Sequence, residues 1–144
     1  MLKILINNCK SKPTGRIFSD GEKSWISQGS DYLNWKSDQV AFVKSQLPKN
    51  NRPRNRVYGV IMRISIDPSR KGHPPDLYNL SGAVADILTQ SGIWTDDNIR
   101  VSDLTHQRIV YNRSELTTVF ICDNILEYIG LVLDELFFIN PTIK

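Results

Sequence analysis

Residues 74–98 read PPDLYNLSGAVADILTQSGIWTDDN, and this stretch predicts the element around which the rest of the chain is arranged. Asp76 follows two prolines and is a favoured helix N-cap, because its carboxylate accepts hydrogen bonds from the free amides of the first turn. Apolar residues then recur at helical spacing, and Gly92 is suited to end the helix. The stretch therefore predicts an amphipathic helix with an acid at its mouth and the pair Asp96-Asp97 after its end.

The polar residues of this stretch allow two interpretations. Asp76, Asn79 and Asp86 fall near one flank of the predicted helix. If the next strand returns beside the helix mouth, Asp76 and Asp97 share a hard cation, since Mg²⁺ needs only one or two protein carboxylates. The alternative is that Asp76 is only a cap and that Asp96-Asp97 is a solvated turn. Spacing alone favours this alternative, because acidic turns are common.

The run D-L-x-N-L-x-x-A-x-x-D-x-L-x-x-x-G-x-x-x-D-D extends from Asp76 to Asp97 and resembles the RusA family of Holliday-junction resolvases. The match covers about a sixth of the chain in detail, and the order of elements agrees more loosely over most of residues 1–121. The resemblance implies a single α+β domain, in which helices pack on a mixed β-sheet. We expect residues 1–122 to form the RusA-like domain, and residues 123–144 to add an apolar helix that packs on the domain or on a dimer partner.

The resemblance implies a metal-dependent, structure-specific DNA endonuclease that resolves four-way (Holliday) junctions by phosphodiester hydrolysis. Its implied cofactor is Mg²⁺ or Mn²⁺, and its implied partners are branched DNA and a second copy in a homodimer. Carried over residue by residue, the family positions are the catalytic acids Asp76, Asp97 and Asp96, the metal ligands Asp76 and Asp97, and the supporting residues Asn79, Asp86 and Tyr78.

The chain departs from the family motif at two positions. Tyr78 stands where the family has its second carboxylate, and Gly82 stands where it has a lysine. A second hypothesis is therefore a RusA-like protein that binds DNA junctions with weakened or no cleavage. A third is a structural or partner-binding domain that uses its apolar last helix, with the acids serving only as caps.

The charge distribution is compatible with DNA binding. The net charge is +3, but residues from Glu115 onward carry −4 and residues 1–114 carry +7. Basic side chains occur in three predicted loops, where they can neutralise phosphates and release counterions. The candidate DNA-binding residues are Lys10, Lys12, Arg16, Lys49, Arg52, Arg54, Arg56, Arg70 and Lys71.

Length and composition bound the class of protein. A chain of 144 residues fits one domain, and two cysteines are too few for a disulfide framework. No cluster of cysteines and histidines has the spacing of a zinc site. No secretory signal and no stretch as long as a membrane span is evident. We therefore expect a cytoplasmic, nucleoid-associated protein without membrane contact. The family resemblance implies a phage or prophage setting.

The other elements follow from periodicity and turn signals. The predicted strands are residues 2–7, a central strand at 57–66, and a hairpin of 99–111 with 115–122; a shorter hairpin is predicted around Ser19-Asp20-Gly21. A helix over residues 31–47, capped by Ser30 or Asp31, is predicted to bury Leu33, Val40, Val43 and Leu47, with Trp35 near its flank. The last helix is predicted to begin after a cap at Asp123 or Asn124.

Overall fold

The computed structural model describes residues 1–13, 16–22, 24–27, 29–71, 75–95 and 102–138. The elements in chain order are β1 (Leu2–Asn7), β2 (Arg16–Ser19), β3 (Ser24–Ser27), α1 (Ser30–Gln46), β4 (Val57–Ile66), α2 (Leu77–Gln90), β5 (Ser102–Tyr111), β6 (Leu116–Cys122) and α3 (Ile125–Phe138). They form a single small α+β domain. None of the helices in these ranges is long and apolar enough to cross a membrane.

The strands β1, β6, β4 and β5, in that spatial order, form one mixed sheet. The strand β4 is central, as its run of apolar and β-branched residues predicts. It pairs in parallel with β5 and antiparallel with β6. The strands β2 and β3 form the separate small hairpin that the turn signal predicts.

The predicted hairpin of the fifth and sixth strands is wrong, because β4 lies between β5 and β6. Parallel strands need a long crossover connection, and α2 supplies it between β4 and β5. The turn after β5 then passes the end of β4, where the amide of Asn112 donates to the carbonyl of Ile66 at 2.9 Å. The first residues of the predicted strand, 99–101, lie outside the described residues.

The face and the cap of α1 differ from the prediction. The N-cap is Gly29, which has no side-chain cap bond, and Leu33 is exposed. Of the predicted apolar residues, Val43 is buried, and Trp35 joins it in the core. The helix lies along the edge of β1, whose backbone groups need partners. The side chains of Gln39 and Gln46 accept hydrogen bonds from the amides of Asn7 and Leu5 at 2.8 and 2.9 Å. The face of α1 that packs on β1 is therefore partly polar.

The helix α2 has the predicted ends. Asp76 is its N-cap, and the carboxylate accepts from the amide of Tyr78 at 2.8 Å. At the other end Gly92 has φ +76°, a conformation that glycine adopts without a Cβ clash. The amides of Gly92 and Ile93 donate to the carbonyls of Thr89 and Leu88 at 3.0 and 3.1 Å, which closes the helix as a Schellman motif.

The main core lies between the sheet and the helices α1 and α2. Ile64 of β4 and Leu80 and Ile87 of α2 are fully buried in it. The helix α3 contacts β4 and β6 on the opposite face of the sheet. It is capped by Asn124, whose side chain accepts from the amide of Glu127 at 3.1 Å. The sheet therefore has one well-covered face and one face that only α3 covers within the described ranges.

Candidate functional site

One end of the sheet gathers polar loops around an open groove. The strands β1, β4 and β5 run in the same direction, so their carboxyl ends meet at one edge. Ligands of α/β sheets often bind just outside such ends. A cleft of about 260 Å³ opens there, lined by Asn8, Cys9, Lys10, Asp67, Arg70 and Glu115.

A second cleft of about 400 Å³ shares Asn8 and Lys10 with the first. It continues beside α1, where its lining includes Asp31 and Asp38. We call the two joined clefts the sheet-end groove. Its first part carries two of the cations that are candidates for DNA contact, Lys10 and Arg70, together with the acids Asp67 and Glu115. Its second part adds the acids Asp31 and Asp38.

The backbone of this groove is strained at two residues. Asn8 has φ 50° and Glu115 has φ 48°, and no other non-glycine residue in the described ranges has a positive φ. The amide of Asn8 donates to the carbonyl of Glu115 at 3.0 Å, so the two conformations support each other. Asparagine tolerates this region, but for glutamate it costs on the order of 1–2 kcal/mol. Such strain persists where the surroundings impose it, and functional clefts are common places for it.

One charged side chain of the first cleft, that of Asp67, is held in a defined position. Asp67 accepts from both the amide and the hydroxyl of Ser69, at 2.8 and 2.7 Å. These hydrogen bonds lower the pKa of Asp67 below its ordinary value, so this acid is ionised at neutral pH. The amide of Arg70 donates to the carbonyl of Asp67 at 3.1 Å, which orders the turn that carries the arginine.

Cys9 lies in the floor of the groove and is buried. Burial raises the pKa of its thiol to about 12, although Thr117 and Arg70 act in the opposite direction. The thiolate is the reactive form of cysteine, so Cys9 is not a nucleophile at neutral pH. The groove is therefore suited to binding through its charges rather than to thiol chemistry.

The loop after β1 is attached to the flank of α2. The amide of Lys12 donates to the carbonyl of Asn79 at 3.1 Å, and Lys12 Nζ lies 3.0 Å from Asp86 Oδ2. The structure thus brings together three residues that the sequence nominates, but it pairs Lys12 with an acid. Asp76 and Tyr78 remain exposed at the mouth of the helix.

The acid pair Asp96-Asp97 lies outside the described residues, so the predicted approach of Asp76 to Asp97 stays a prediction. Thr95, the last described residue before the pair, donates to the carbonyl of Arg54 at 3.1 Å, just before β4 begins. Between Asp76 and Ser91 the 14 residues of α2 span about 21 Å.

A basic surface lies at the opposite end of β4 from the sheet-end groove. It consists of Lys49, Arg52, Arg54 and Arg56 in the loop before this strand. Arg54 pairs with Asp123 at 3.4 Å, whereas Lys49 and Arg52 are exposed. The ten residues of β4 separate this surface from Arg70 and Lys71 by about 30 Å. Arg16 lies in β2, and its side chain lies outside the described set.

An ionic cluster under α3 was missed by the sequence reasoning. Glu135 is buried against Arg63 of β4 and against His106 and Arg108 of β5. The register places Arg63 opposite Arg108, and this pairing cannot be read from local patterns. Two features of the sequence could have indicated the cluster: Arg63 lies within an otherwise apolar strand, and Glu135 lies within a mostly apolar helix.

The described residues contain no group of three or more His, Cys, Asp or Glu side chains that is arranged to hold a metal ion. No family model matches the chain, and no curated protein is significantly similar to it.

Proposed function

We propose that the protein is a RusA-like protein that binds branched DNA, and that its function does not require cleavage of that DNA. The observation that supports this most directly is that Lys10 and Arg70 line one cleft of the sheet-end groove from two different loops, beside Asp67 and Glu115. The guanidinium of Arg70 matches phosphate oxygens in a two-pronged geometry, and Lys10 adds a compact charge. The basic loop at residues 49–56 supplies a second contact surface.

The spacing between the cations Arg70 and Lys71 and the basic loop at residues 49–56 suits duplex arms. They are about 30 Å apart along β4, which is close to one helical turn of B-DNA, about 34–36 Å. A four-way junction has two-fold symmetry, and a homodimer with two equivalent surfaces complements it. We therefore propose that two copies bind one junction, and that the exposed apolar residues of α3 are available for their association.

DNA binding is tested by fluorescence anisotropy with a synthetic four-way junction over a range of salt concentrations. Affinity falls with salt, with a slope of about −0.9 per phosphate neutralised. The double variant Lys10→Gln/Arg70→Gln should therefore lower the slope by about 2. Lys44→Gln is the control, because Lys44 is exposed in the last turn of α1 and does not line the sheet-end groove.

If the salt dependence of the affinity is unchanged in the double variant, the sheet-end groove does not contact DNA phosphates. No binding of the junction even at low salt would leave the third hypothesis, a structural or partner-binding domain. Ultracentrifugation with and without the junction tests the dimer, since two protomers per junction are expected.

Metal-dependent cleavage is the second candidate function. It is favoured by Asp76, whose exposed carboxylate uses one oxygen, Oδ1, for the helix cap. Asp76 would be one ligand, and Mg²⁺ or Mn²⁺ needs few protein carboxylates when water and phosphate complete the shell. A bound metal in such a site supplies charge stabilisation at the phosphate and a more acidic water. Asp97, with Asp96 beside it, is the proposed further ligand.

The two candidates are separated by a junction-cleavage assay with a metal titration. An active nuclease nicks the junction, and Asp76→Asn abolishes nicking while junction binding persists. The variant Tyr78→Asp/Gly82→Lys restores the family's motif, and a Cβ added at Gly82 meets open space. Cleavage that appears only in the restored variant would identify the natural protein as a binding module. Cleavage that persists in both Asp76→Asn and Asp97→Asn would remove this site assignment.

A further inference from the structure

The helix α3 exposes many of its apolar residues and buries an acid against the sheet. Its apolar residues Ile125, Leu126, Ile129, Leu133, Leu136 and Phe137 are exposed, the extremes being Leu126 at 79% and Phe137 at 80%. Glu135 has only 1% of its side chain exposed. It is the one buried residue of this helix among the side chains described. Tyr128, Leu131 and Val132 of the same helix are half-buried, so α3 is attached by a partly apolar face that ends in a buried charge.

Three cationic or polar groups of the sheet surround the Glu135 carboxylate. Arg63 Nε donates to Glu135 Oε1, and His106 Nε2 lies 3.2 Å from Oε2. Arg108 Nε lies 2.9 Å from the same Oε2, but its N–H is not aligned for a hydrogen bond, so this contact is an ion pair only. One carboxylate thus faces two guanidiniums that remain charged at any physiological pH, and an imidazole.

Charge in this cluster is incompletely balanced. Glu135 supplies one negative charge against two permanent positive charges, and Arg63 and Arg108 make no other ion pair among the described side chains. Arg63 also stacks on the ring of Phe120, with its guanidinium carbon 4.9 Å from the centroid. The three basic side chains keep 28%, 38% and 29% exposure for Arg63, His106 and Arg108, so the cluster is open on one side.

A buried ion pair is an inefficient way to fix a helix, because desolvation offsets most of its attraction. An exposed side with surplus positive charge is instead suited to an oxyanion, and arginine forks match phosphate and carboxylate oxygens. We propose that Arg63, His106 and Arg108 form a phosphate-binding site in which Glu135 is an internal carboxylate ligand, displaced together with α3 when phosphate binds. The inference stands apart from DNA binding by the sheet-end groove.

The proposed phosphate site is tested by removing the carboxylate that occupies it. Glu135→Ala removes the internal ligand, and Asp134→Ala removes a neighbouring exposed acid of the same helix as the matched control. With inorganic phosphate as the probe, at an ionic strength held constant with chloride, we expect binding about tenfold tighter to Glu135→Ala than to Asp134→Ala. Adding Arg108→Gln to Glu135→Ala should abolish this gain.

The source of the phosphate is distinguished with a single-stranded oligonucleotide. A gain for the oligonucleotide as well as for phosphate indicates a site for backbone phosphates, whereas a gain for phosphate alone indicates a free phosphate group. Hydrogen exchange of the α3 amides in the natural protein gives a readout that does not depend on a variant folding. We expect faster exchange in phosphate than in chloride. Equal phosphate affinity of the two alanine variants, or exchange that is indifferent to phosphate, overturns the proposal.

Discussion

Gly59 is the point at which β4 allows α3 to approach the sheet, and its replacement by alanine tests how the helix is attached. A Cβ at Gly59 would lie 2.8 Å from Tyr128 Cε2 and 3.1 Å from Cγ, with Cδ2 nearer still. These distances are too short for carbon atoms, and the clash involves the body of the ring rather than a flexible chain end. The ring or the whole helix must therefore move in Gly59→Ala.

The size of the effect follows from the packing that is lost. Overpacking of this kind costs about 1–3 kcal/mol. Tyr128 also meets Tyr58 edge-on, with ring centroids 6.4 Å apart, and such a pair contributes about 0.5–1.5 kcal/mol. Alanine regains about 0.5–1 kcal/mol over glycine in a strand. We expect a net loss of about 1–2 kcal/mol, and each kcal/mol corresponds to a fall in Tm of about 2–4 °C.

A double-mutant cycle with Tyr128→Ala measures this clash directly. In the Tyr128→Ala background the substitution Gly59→Ala should be neutral or slightly stabilising, because the ring is gone. Gly82→Ala is the control, since its Cβ meets open space within α2 and should stabilise the protein by about 0.5–1 kcal/mol. Chemical denaturation supplies the free energies. An equal cost of Gly59→Ala in both backgrounds would refute the proposed packing of α3 on Gly59.

Three further predictions concern the cap, the groove and the sheet edge. Asp76→Ala should lower the free energy of unfolding by about 0.5–2 kcal/mol through loss of the cap, whereas Asp76→Asn, which still caps, should leave it nearly unchanged by urea denaturation. The pKa of the Cys9 thiol is raised to about 12, so at high pH the folded state keeps a proton that the unfolded state loses. The contribution of Cys9 to the free energy of unfolding is fully present below about pH 9. Above this pH it falls by up to about 1.4 kcal/mol per pH unit. Cys9→Ala should flatten this fall between pH 9 and 10, and a slope unchanged in the variant would contradict the assignment. Gln39→Leu removes the acceptor for the amide of Asn7 at 2.8 Å and should cost about 1–3 kcal/mol, measured against exposed Asp38→Ala.

The outcome for α2 shows which signals a single sequence carries reliably. The cap at Asp76, the apolar spacing and Gly92 are all local, because each involves residues within one or two helical turns. The central strand β4 was predicted for the same reason, since its continuous apolar run reports burial on both faces. The cap of α1 was misassigned because Gly29 also serves at this position without a side-chain bond.

The candidate sites were predicted only in part. The sequence nominates Asp76, Lys10 and Arg70, and the structure places the last two in one groove. The groove itself requires the carboxyl ends of β1 and β4 to lie at one edge, which depends on how both strands pair with β6. The paired state of Lys12 with Asp86 likewise arises from contacts between segments distant in the chain.

The sequence by itself determined where α2 begins and ends and that β4 is buried, because hydrogen bonding and side-chain spacing within a few residues are sufficient for both. Only the tertiary structure decided that β5 lies beside β4 rather than beside β6. It also decided that α1 turns glutamines towards the edge of β1, and that Glu135 meets Arg63 and Arg108. These features depend on which distant segments satisfy each other's backbone groups and charges, and that choice is made only when the whole sheet is assembled.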